Sequence, residues 1–378
     1  MPPDFKNPLK ERRRAVVTGL QLPDRDDLEL LLEELRLLLA NLDIEVAAVS
    51  TQKKARPDPA FLIGSGKAET LKALAEGSLA DLIVCNDMLT PIQLANLRAK
   101  TEREVWDRAL VITKIFEKRA VTAEAKLQVE LARCRYELPH LRGLGQQMSN
   151  AGAGIGTRGP GETEFERHRR KLQLRAVDIS RKLENIRRRR ESQRKQRRRN
   201  GVPTVALVGY TNSGKTTLLK RLCGDEKLYA ADQLFATLDT AVRSVRSPSG
   251  RTLLFADTVG FIRELPPQLI AAFRATLEEA AQADMLLIVL DINDPEILAT
   301  YDVIQMTLSE IGAAELPRTI VLNKIDRAGP FRLERVKEQF RGENIPVCAL
   351  SALTGDGISA LWSVFDWLSP RRERREEE

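Results

Sequence analysis

Residues 202–222, VPTVALVGYTNSGKTTLLKRL, constrain the fold of this chain more tightly than any other segment. A short apolar run ends in GxxxxGK[ST], and a helical pattern follows at once. That order demands a strand, a phosphate-wrapping loop and a helix, hence a parallel α/β domain. The cradle reads Gly209-Tyr210-Thr211-Asn212-Ser213-Gly214-Lys215-Thr216-Thr217. Its backbone N–H groups are expected to wrap a β-phosphate at a helix N-terminus. Lys215 reaches the β- and γ-phosphates, and the Thr216 hydroxyl is a Mg²⁺ ligand.

The segments that follow decide the base. Phe235-Ala236-Thr237-Leu238-Asp239 stands where a first switch belongs, with Thr237 as second Mg²⁺ ligand and Thr240 in reserve. The run RTLLFAD delivers Asp257-Thr258-Val259-Gly260. Asp257 is expected to hold a Mg²⁺-bound water, and Gly260 to offer its N–H to a γ-phosphate. RTIVLNKID ends in Asn323-Lys324-Ile325-Asp326. A carboxylate at Asp326 can accept both N1–H and the N2 amino group of guanine; adenine lacks that donor pair and would leave it unpaired. Lys324 can cover the ring face, and Asn323 can tie this loop to the phosphate loop. Ser351-Ala352-Leu353 then supplies backbone donors for guanine O6. In series these elements specify GTP or GDP with Mg²⁺. Lys215, Thr216, Thr237 and Gly260 are the groups expected to stabilise the reacting phosphoryl.

One position breaks the pattern. A glutamine often follows the glycine of DxxG and orients the attacking water. Here Phe261 and Ile262 follow Gly260, and neither side chain can hydrogen-bond water. Either the chain does not hydrolyse nucleotide or another group aligns the water. Asn212, at the fourth position of the cradle, raises a second cation, K⁺, beside the phosphates; it can equally serve only to close the loop.

The other half of the chain is organised differently. Apolar runs at residues 15–17, 46–49, 82–84 and 105–106 alternate with helical patterns, which implies βαβ units and a small parallel sheet. FLIGSGKAETL, residues 61–71, has one residue between its glycines where a phosphate loop needs four, so it reads as a turn into a helix. Residues 110–136 read as one helical stretch. A break is expected from Leu138 through a segment with seven glycines, and a second helix near Glu164. In that helix Leu172, Ala176, Ile179, Leu183 and Ile186 form a seam for one partner helix, so an antiparallel hairpin follows.

Charge is concentrated just past that seam. Residues 181–199 hold eleven Lys/Arg against Glu184 and Glu191, a net of +9 within a chain of net +7. Such a block implies a nucleic-acid partner, with a solvated helix end as the alternative. His140 and His168 are the only histidines, and the four cysteines, Cys85, Cys134, Cys223 and Cys348, form no CxxC pair. A zinc site and histidine acid–base chemistry are therefore not expected. There is no run of about 18 apolar residues for a membrane span, and MPPDFKNPLKERRRA lacks the apolar stretch of a secretion signal. A cytoplasmic protein is expected.

Along residues 14–368 the chain resembles the HflX GTPases of the Obg–HflX group. The resemblance rests on DRALVITKIFEKRA, AKLQVELARCRYELPHL, GIGTRGPGETEFE, GYTNSGKTTL, LFATLDT and DTVGFIRELP. It implies GTP hydrolysis coupled to binding of the large ribosomal subunit and its rRNA, and splitting or rescue of ribosomes. It also implies that the hairpin tip touches ribosomal RNA, and that the protein is a partly ribosome-associated monomer. Glu164-Phe165 stand where the family usually has Gln-Leu, and Pro267 where a histidine is common. A GTP-controlled large-subunit assembly factor, with hydrolysis as a timer, is the second reading. The expected architecture is a small parallel α/β domain over residues 1–109, a helical hairpin with a basic linker over 110–200, a Ras-like phosphate-loop domain over 201–370 and a charged tail over 371–378.

Overall fold

The structure is a computed structural model, and it describes residues 12–23, 25–151, 160–199, 201–224, 235, 241–263, 279–343, 345–366 and 368. Two compact units emerge. One comprises Met1–Ile115 with Ala132–Val177, the other Phe116–Leu131 with Asp178–Glu378.

The first unit is built on four strands in the order β3-β1-β5-β6: β1 (Arg14–Thr18), β3 (Glu45–Val49), β5 (Leu82–Cys85) and β6 (Glu104–Asp107). All pairings are parallel. The four apolar runs of the sequence are these strands. Leu28, Leu31, Leu35, Leu38 and Leu39 bury one stripe of α1 (Leu28–Asn41), as their helical spacing requires. Gly64, with φ +91°, turns the chain into α2 (Ser65–Gly77), which matches the turn-into-helix reading. Thr90 and Gln93 form a reciprocal capping box, with Pro91 in the first turn, at the start of α3 (Pro91–Thr101). A second, two-stranded parallel sheet joins β2 (Leu20–Gln21) to β4 (Gln52–Lys53). Two-residue strands carry no alternation, so the sequence does not announce them.

The helical region departs from expectation in two places. Residues 110–136 are not one helix: α4 (Arg108–Arg119) stops, and α5 (Ala123–Ala151) starts afresh. Thr122 caps the new start by accepting the Ala125 N–H at 3.1 Å. The expected break at Leu138 is also absent, because α5 runs through Pro139. A mid-helix proline forfeits one backbone bond and costs about 3 kcal/mol, and buried Val129, Leu131, Ala132, Cys134 and Tyr136 hold the preceding turns in place. The next helix, α6 (Pro160–Arg199), begins four residues before the expected Glu164. Ile179 of the seam is fully buried. Arg190, near the end of α6, pairs with Glu124 at the start of α5 at 2.7 Å. Residues 152–159, most of the glycine-rich tip, lie outside the described residues. Arg187, Arg188 and Arg189 are exposed, the first two paired with Glu184.

The second unit contains six strands in the order β12-β11-β10-β7-β9-β8: β7 (Thr204–Gly209), β8 (Ala241–Arg246), β9 (Thr252–Asp257), β10 (Met285–Asp291), β11 (Arg318–Asn323) and β12 (Val347–Ala349). Only β8 is antiparallel to its neighbour. Strand β10 is buried along MLLIVL on both faces, as a central parallel strand should be. One core packs Ile288, Leu290, Ile304 and Phe340 on one side of the sheet, and another packs Leu207, Leu287, Leu219 and Phe365 on the other. Gly209, Asp257 and Asn323 each end a parallel strand, and Ser351 follows β12 two residues on. The sequence motifs are thereby delivered to one edge of one sheet, the carboxyl edge where parallel α/β folds bind ligands.

Candidate nucleotide site

The cradle is closed by contacts among its own residues. Lys215 starts α7 (Lys215–Cys223) and is almost fully buried. Its Nζ donates to Gly209 O at 3.0 Å and Tyr210 O at 2.8 Å, which aims the ammonium along the inside of the loop. Burial lowers its pKa to about 8, against the opposing pull of the Asp257 carboxylate. The amine is therefore poised to gain stability from an anion, since a phosphate would repay the desolvation of its charge. Thr211 Oγ1 and Ser213 Oγ are buried with no hydrogen-bond partner. Buried hydroxyls in that state fit a site whose polar ligand completes them.

Thr216 Oγ1 donates to Asp257 Oδ2 at 2.9 Å. This brings the expected Mg²⁺ hydroxyl and the carboxylate of the DxxG segment into direct contact, so the hard-oxygen donors suit Mg²⁺ with nucleotide phosphates. Thr216 and Asp257 would hold that ion, and its charge would offset the negative charge of the phosphate oxygens. Ala236, Thr237, Leu238, Asp239 and Thr240 lie outside the described residues. Phe235 is described: its ring is buried and meets Phe116 edge-on at 4.6 Å, so any nucleotide contact from it would come from the backbone.

The base loop is tied down from three directions. Asn323 is 1% exposed. Its Nδ2 donates to Ser213 O at 2.8 Å, and its Oδ1 accepts the Ala352 N–H at 2.9 Å. One amide thus joins phosphate loop, base loop and the Ser351 loop, the first of which the sequence reading assigned to it. Gly214 has to be glycine: a Cβ there would stand 2.2 Å from Asn323 Nδ2, on a backbone with φ +94°. The Ser351 hydroxyl donates to Asp326 Oδ1 at 2.5 Å, orienting the carboxylate expected to read guanine. The Ala352 N–H is engaged by Asn323, and Leu353 beside it is exposed. Its carbonyl is held by the Arg221 guanidinium.

Two residues that hold the base loop were not singled out from sequence. Lys324 Nζ pairs with Asp291 Oδ2 at 2.8 Å, and Asn293 Nδ2 donates to both Asp291 Oδ1 and Lys324 O. Asp291 ends the strand next to β11, and a carboxylate closing MLLIVLD was the signal available. Ile325 is half-buried at the start of a single 3₁₀ turn, and Thr217 is half-buried on α7.

The DxxG segment answers the question that Phe261 poses. Phe261 is 3% exposed and its ring belongs to the core beside Ala206, Val208 and Ala256. The side chain is turned into that core. Its backbone does the work: Phe261 N–H donates to Gly209 O at 3.0 Å, and Thr211 N–H donates to Phe261 O at 2.8 Å. Thr258 also faces inward, its hydroxyl donating to Leu207 O at 2.7 Å, and Val259 is buried. Gly260 packs so closely that a Cβ would lie 2.9 Å from Thr211 Cα and 3.1 Å from Lys215 Nζ.

Comparison with known proteins places this geometry. Three family models cover the chain in series: GTP-binding GTPase N-terminal over residues 29–117, GTP-binding GTPase Middle Region over 119–197, and 50S ribosome-binding GTPase over 204–324. The GTPase HflX of Caldanaerobacter subterraneus subsp. tengcongensis is 46% identical over 317 residues, 84% of this chain and 73% of that one. The GTPase HflX of Escherichia coli K12 is 40% identical over 352 residues, 92% and 81% of the two chains. A solved structure of SsGBP in complex with GDP is similar with a TM-score of 0.52 at 27% identity, covering 93% of this chain and 96% of that one. With the phosphate loop, base loop and DxxG segment converging on one sheet edge, and relatives this similar over most of its length, the chain belongs to the HflX family of GTPases.

Proposed function

We propose that the chain hydrolyses GTP to GDP and phosphate, and that the cycle drives its binding to the large ribosomal subunit so as to split or rescue ribosomes. The observation that carries the reading is the closed cradle, in which Lys215, Thr216, Asp257 and Gly260 meet at one strand edge and Asn323 locks the base loop onto it. The match of residues 204–324 to a model described as a 50S ribosome-binding GTPase supports the choice of partner. So does the exposed arginine run Arg187 to Arg189, whose charge suits rRNA phosphates. No helix among the described residues is long and apolar enough to cross a membrane.

The buried Phe261 ring leaves alignment of the attacking water to another group. That group is supplied by the ribosomal partner, so the free chain binds GTP and turns it over slowly. Groups supplied in trans are worth about 10³–10⁵ in rate in GTPases. K⁺ is a second candidate for part of that charge. Asn212 is exposed with φ +62°, at the cradle position where such an ion would lie. Matched KCl and NaCl assays with ribosomes present decide this: equal rates remove K⁺.

Sedimentation of intact ribosomes with the chain and GTP, GDP or a non-hydrolysable analogue tests the whole reading. Splitting with GTP or the analogue, and not with GDP, is expected. Binding to immature large subunits alone, without splitting, would establish the assembly-factor reading instead. Single-turnover hydrolysis unaffected by large subunits would defeat the proposed role of the ribosome.

A further inference from the structure

The pairing of β7 with β9 does not end where the strands do. Leu207 stands opposite Asp257, and beyond the strands Tyr210 stands opposite Phe261 in an isolated parallel bridge. Between these two pairs, Thr258, Val259 and Gly260 face only Val208 and Gly209. The DxxG segment is therefore a bulge of one residue, and a bulge re-aims the backbone it interrupts. Here it sets Gly260 against Thr211 and beside Lys215 Nζ. A bulge keeps its shape only if both flanks are pinned. The near flank is held by the Thr258 hydroxyl on Leu207 O. The far flank is held by the paired bonds of Phe261 and, two residues further, by a side chain: Tyr210 Oη accepts the Arg263 N–H at 2.8 Å.

We propose that Tyr210 is a positioning residue for hydrolysis, acting through its hydroxyl on Arg263 rather than on the nucleotide. The half-buried ring packs on the core that contains Phe261, so the hydroxyl is delivered to Arg263 by a side chain that itself belongs to the phosphate loop. The same residue's carbonyl receives Lys215 Nζ, and Gly209 O is shared by Lys215 and Phe261. One short stretch of backbone thus sets the ammonium and the DxxG bulge together. Loosening the Arg263 anchor releases the far flank, and Gly260 then loses its fixed place beside Lys215. Lys215 is held to the cradle by Gly209 O and Tyr210 O, bonds that do not run through the Arg263 anchor. The cost falls on the step in which charge gathers on the γ-phosphoryl oxygens, where a fixed donor is worth most.

This rests on GTP hydrolysis by the chain, so the test pairs turnover with a readout that needs none. Tyr210→Phe keeps the ring and removes the hydroxyl; Tyr210→Leu removes both. Amide hydrogen exchange at Arg263 is followed in the GDP-bound full chain, and single-turnover GTP hydrolysis is followed alongside GDP affinity. In Tyr210→Phe, Arg263 exchange is expected to speed about tenfold, and hydrolysis to fall about fivefold more than GDP affinity does, the scale of one lost hydrogen bond. Tyr210→Leu should do the same or more. If Tyr210→Phe matches the wild type in both readouts and only Tyr210→Leu is impaired, the ring merely packs and the proposal fails. It fails too if hydrolysis drops only in proportion to GDP affinity. A wild-type chain that cannot hydrolyse GTP would defeat the functional reading; the exchange measurement still decides whether Tyr210 holds Arg263.

Discussion

Removing the Asn323 side chain isolates the contact on which the site depends most. Asn323→Ala deletes two hydrogen bonds at once, Nδ2 to Ser213 O at 2.8 Å and Ala352 N–H to Oδ1 at 2.9 Å. The side chain is 1% exposed, so its partners are buried backbone groups. Each unpaired group costs about 1–3 kcal/mol. Water can enter the space vacated by the amide and recover part of that, so the lower half of the summed range applies, about 2–4 kcal/mol. If the penalty is expressed as lost order of the two loops around the nucleotide, GDP affinity falls about 30- to 1,000-fold. Asn323→Asp separates the two halves of the effect. It keeps an acceptor for the Ala352 N–H and sets a carboxylate oxygen against Ser213 O, so it should bind no better than the alanine variant. Calorimetric titration with GDP and Mg²⁺ measures both. A loss under threefold for Asn323→Ala would refute the claim that one amide couples the phosphate loop to the base loop.

Three other perturbations follow from the same geometry. Asp326→Asn should weaken GTP by about 2–4 kcal/mol and favour a xanthine nucleotide, whose O2 can accept from the new amide; unchanged GTP affinity by calorimetry removes Asp326 from the base site. The Lys215 amine, lowered by burial to about 8, loses its proton as pH rises past that value in the free chain, whereas bound phosphates favour the ammonium. GDP binding should therefore take up a proton above about pH 8 and weaken by up to about tenfold per pH unit, while the nucleotide-free fold gains stability between about 8 and the ordinary lysine value; titration at pH 8.5 in two buffers of different ionisation enthalpy would show no proton uptake if this is wrong. Replacing Arg187, Arg188 and Arg189 with glutamine should lower the salt slope of ribosome binding by up to about 3, near one unit per lost phosphate contact. Arg190, paired with Glu124, should contribute less, and an unchanged slope in the triple variant would mark the run as a solvated helix end.

The sequence made the sheets readable because each parallel strand is a short apolar run between helical patterns, and the site readable because Gly209–Thr216, Asp257–Gly260 and Asn323–Asp326 follow strands β7, β9 and β11 in order. Helix boundaries were less readable. Pro139 looked like a terminator, but the apolar face before it buries enough surface to outweigh one lost bond. The Thr122 cap inside an unbroken helical pattern has the opposite character, a small local signal that wins because nothing opposes it. Asp291, which pairs with Lys324, carried only the weak signal of a carboxylate closing an apolar strand, since its partner follows the neighbouring strand and only the fold reveals the neighbour.

Phe261 shows where reading side chains along a motif reaches its limit. Judged by its ring, the residue is a defect in a hydrolase, because its side chain carries no polar atom to align a water. Judged by its backbone, it is the closing pair of a one-residue bulge, with Phe261 N–H on Gly209 O and Thr211 N–H on Phe261 O. A buried ring serves that purpose better than a glutamine would. It anchors the pair in the core beside Ala206 and Val208, whereas an amide there would be buried without partners. The same choice removes the intrinsic means of orienting water. Firm placement of Gly260 and the slow unaided turnover proposed above would then be two consequences of one residue, and a partner that brings its own polar group would restore the second without disturbing the first.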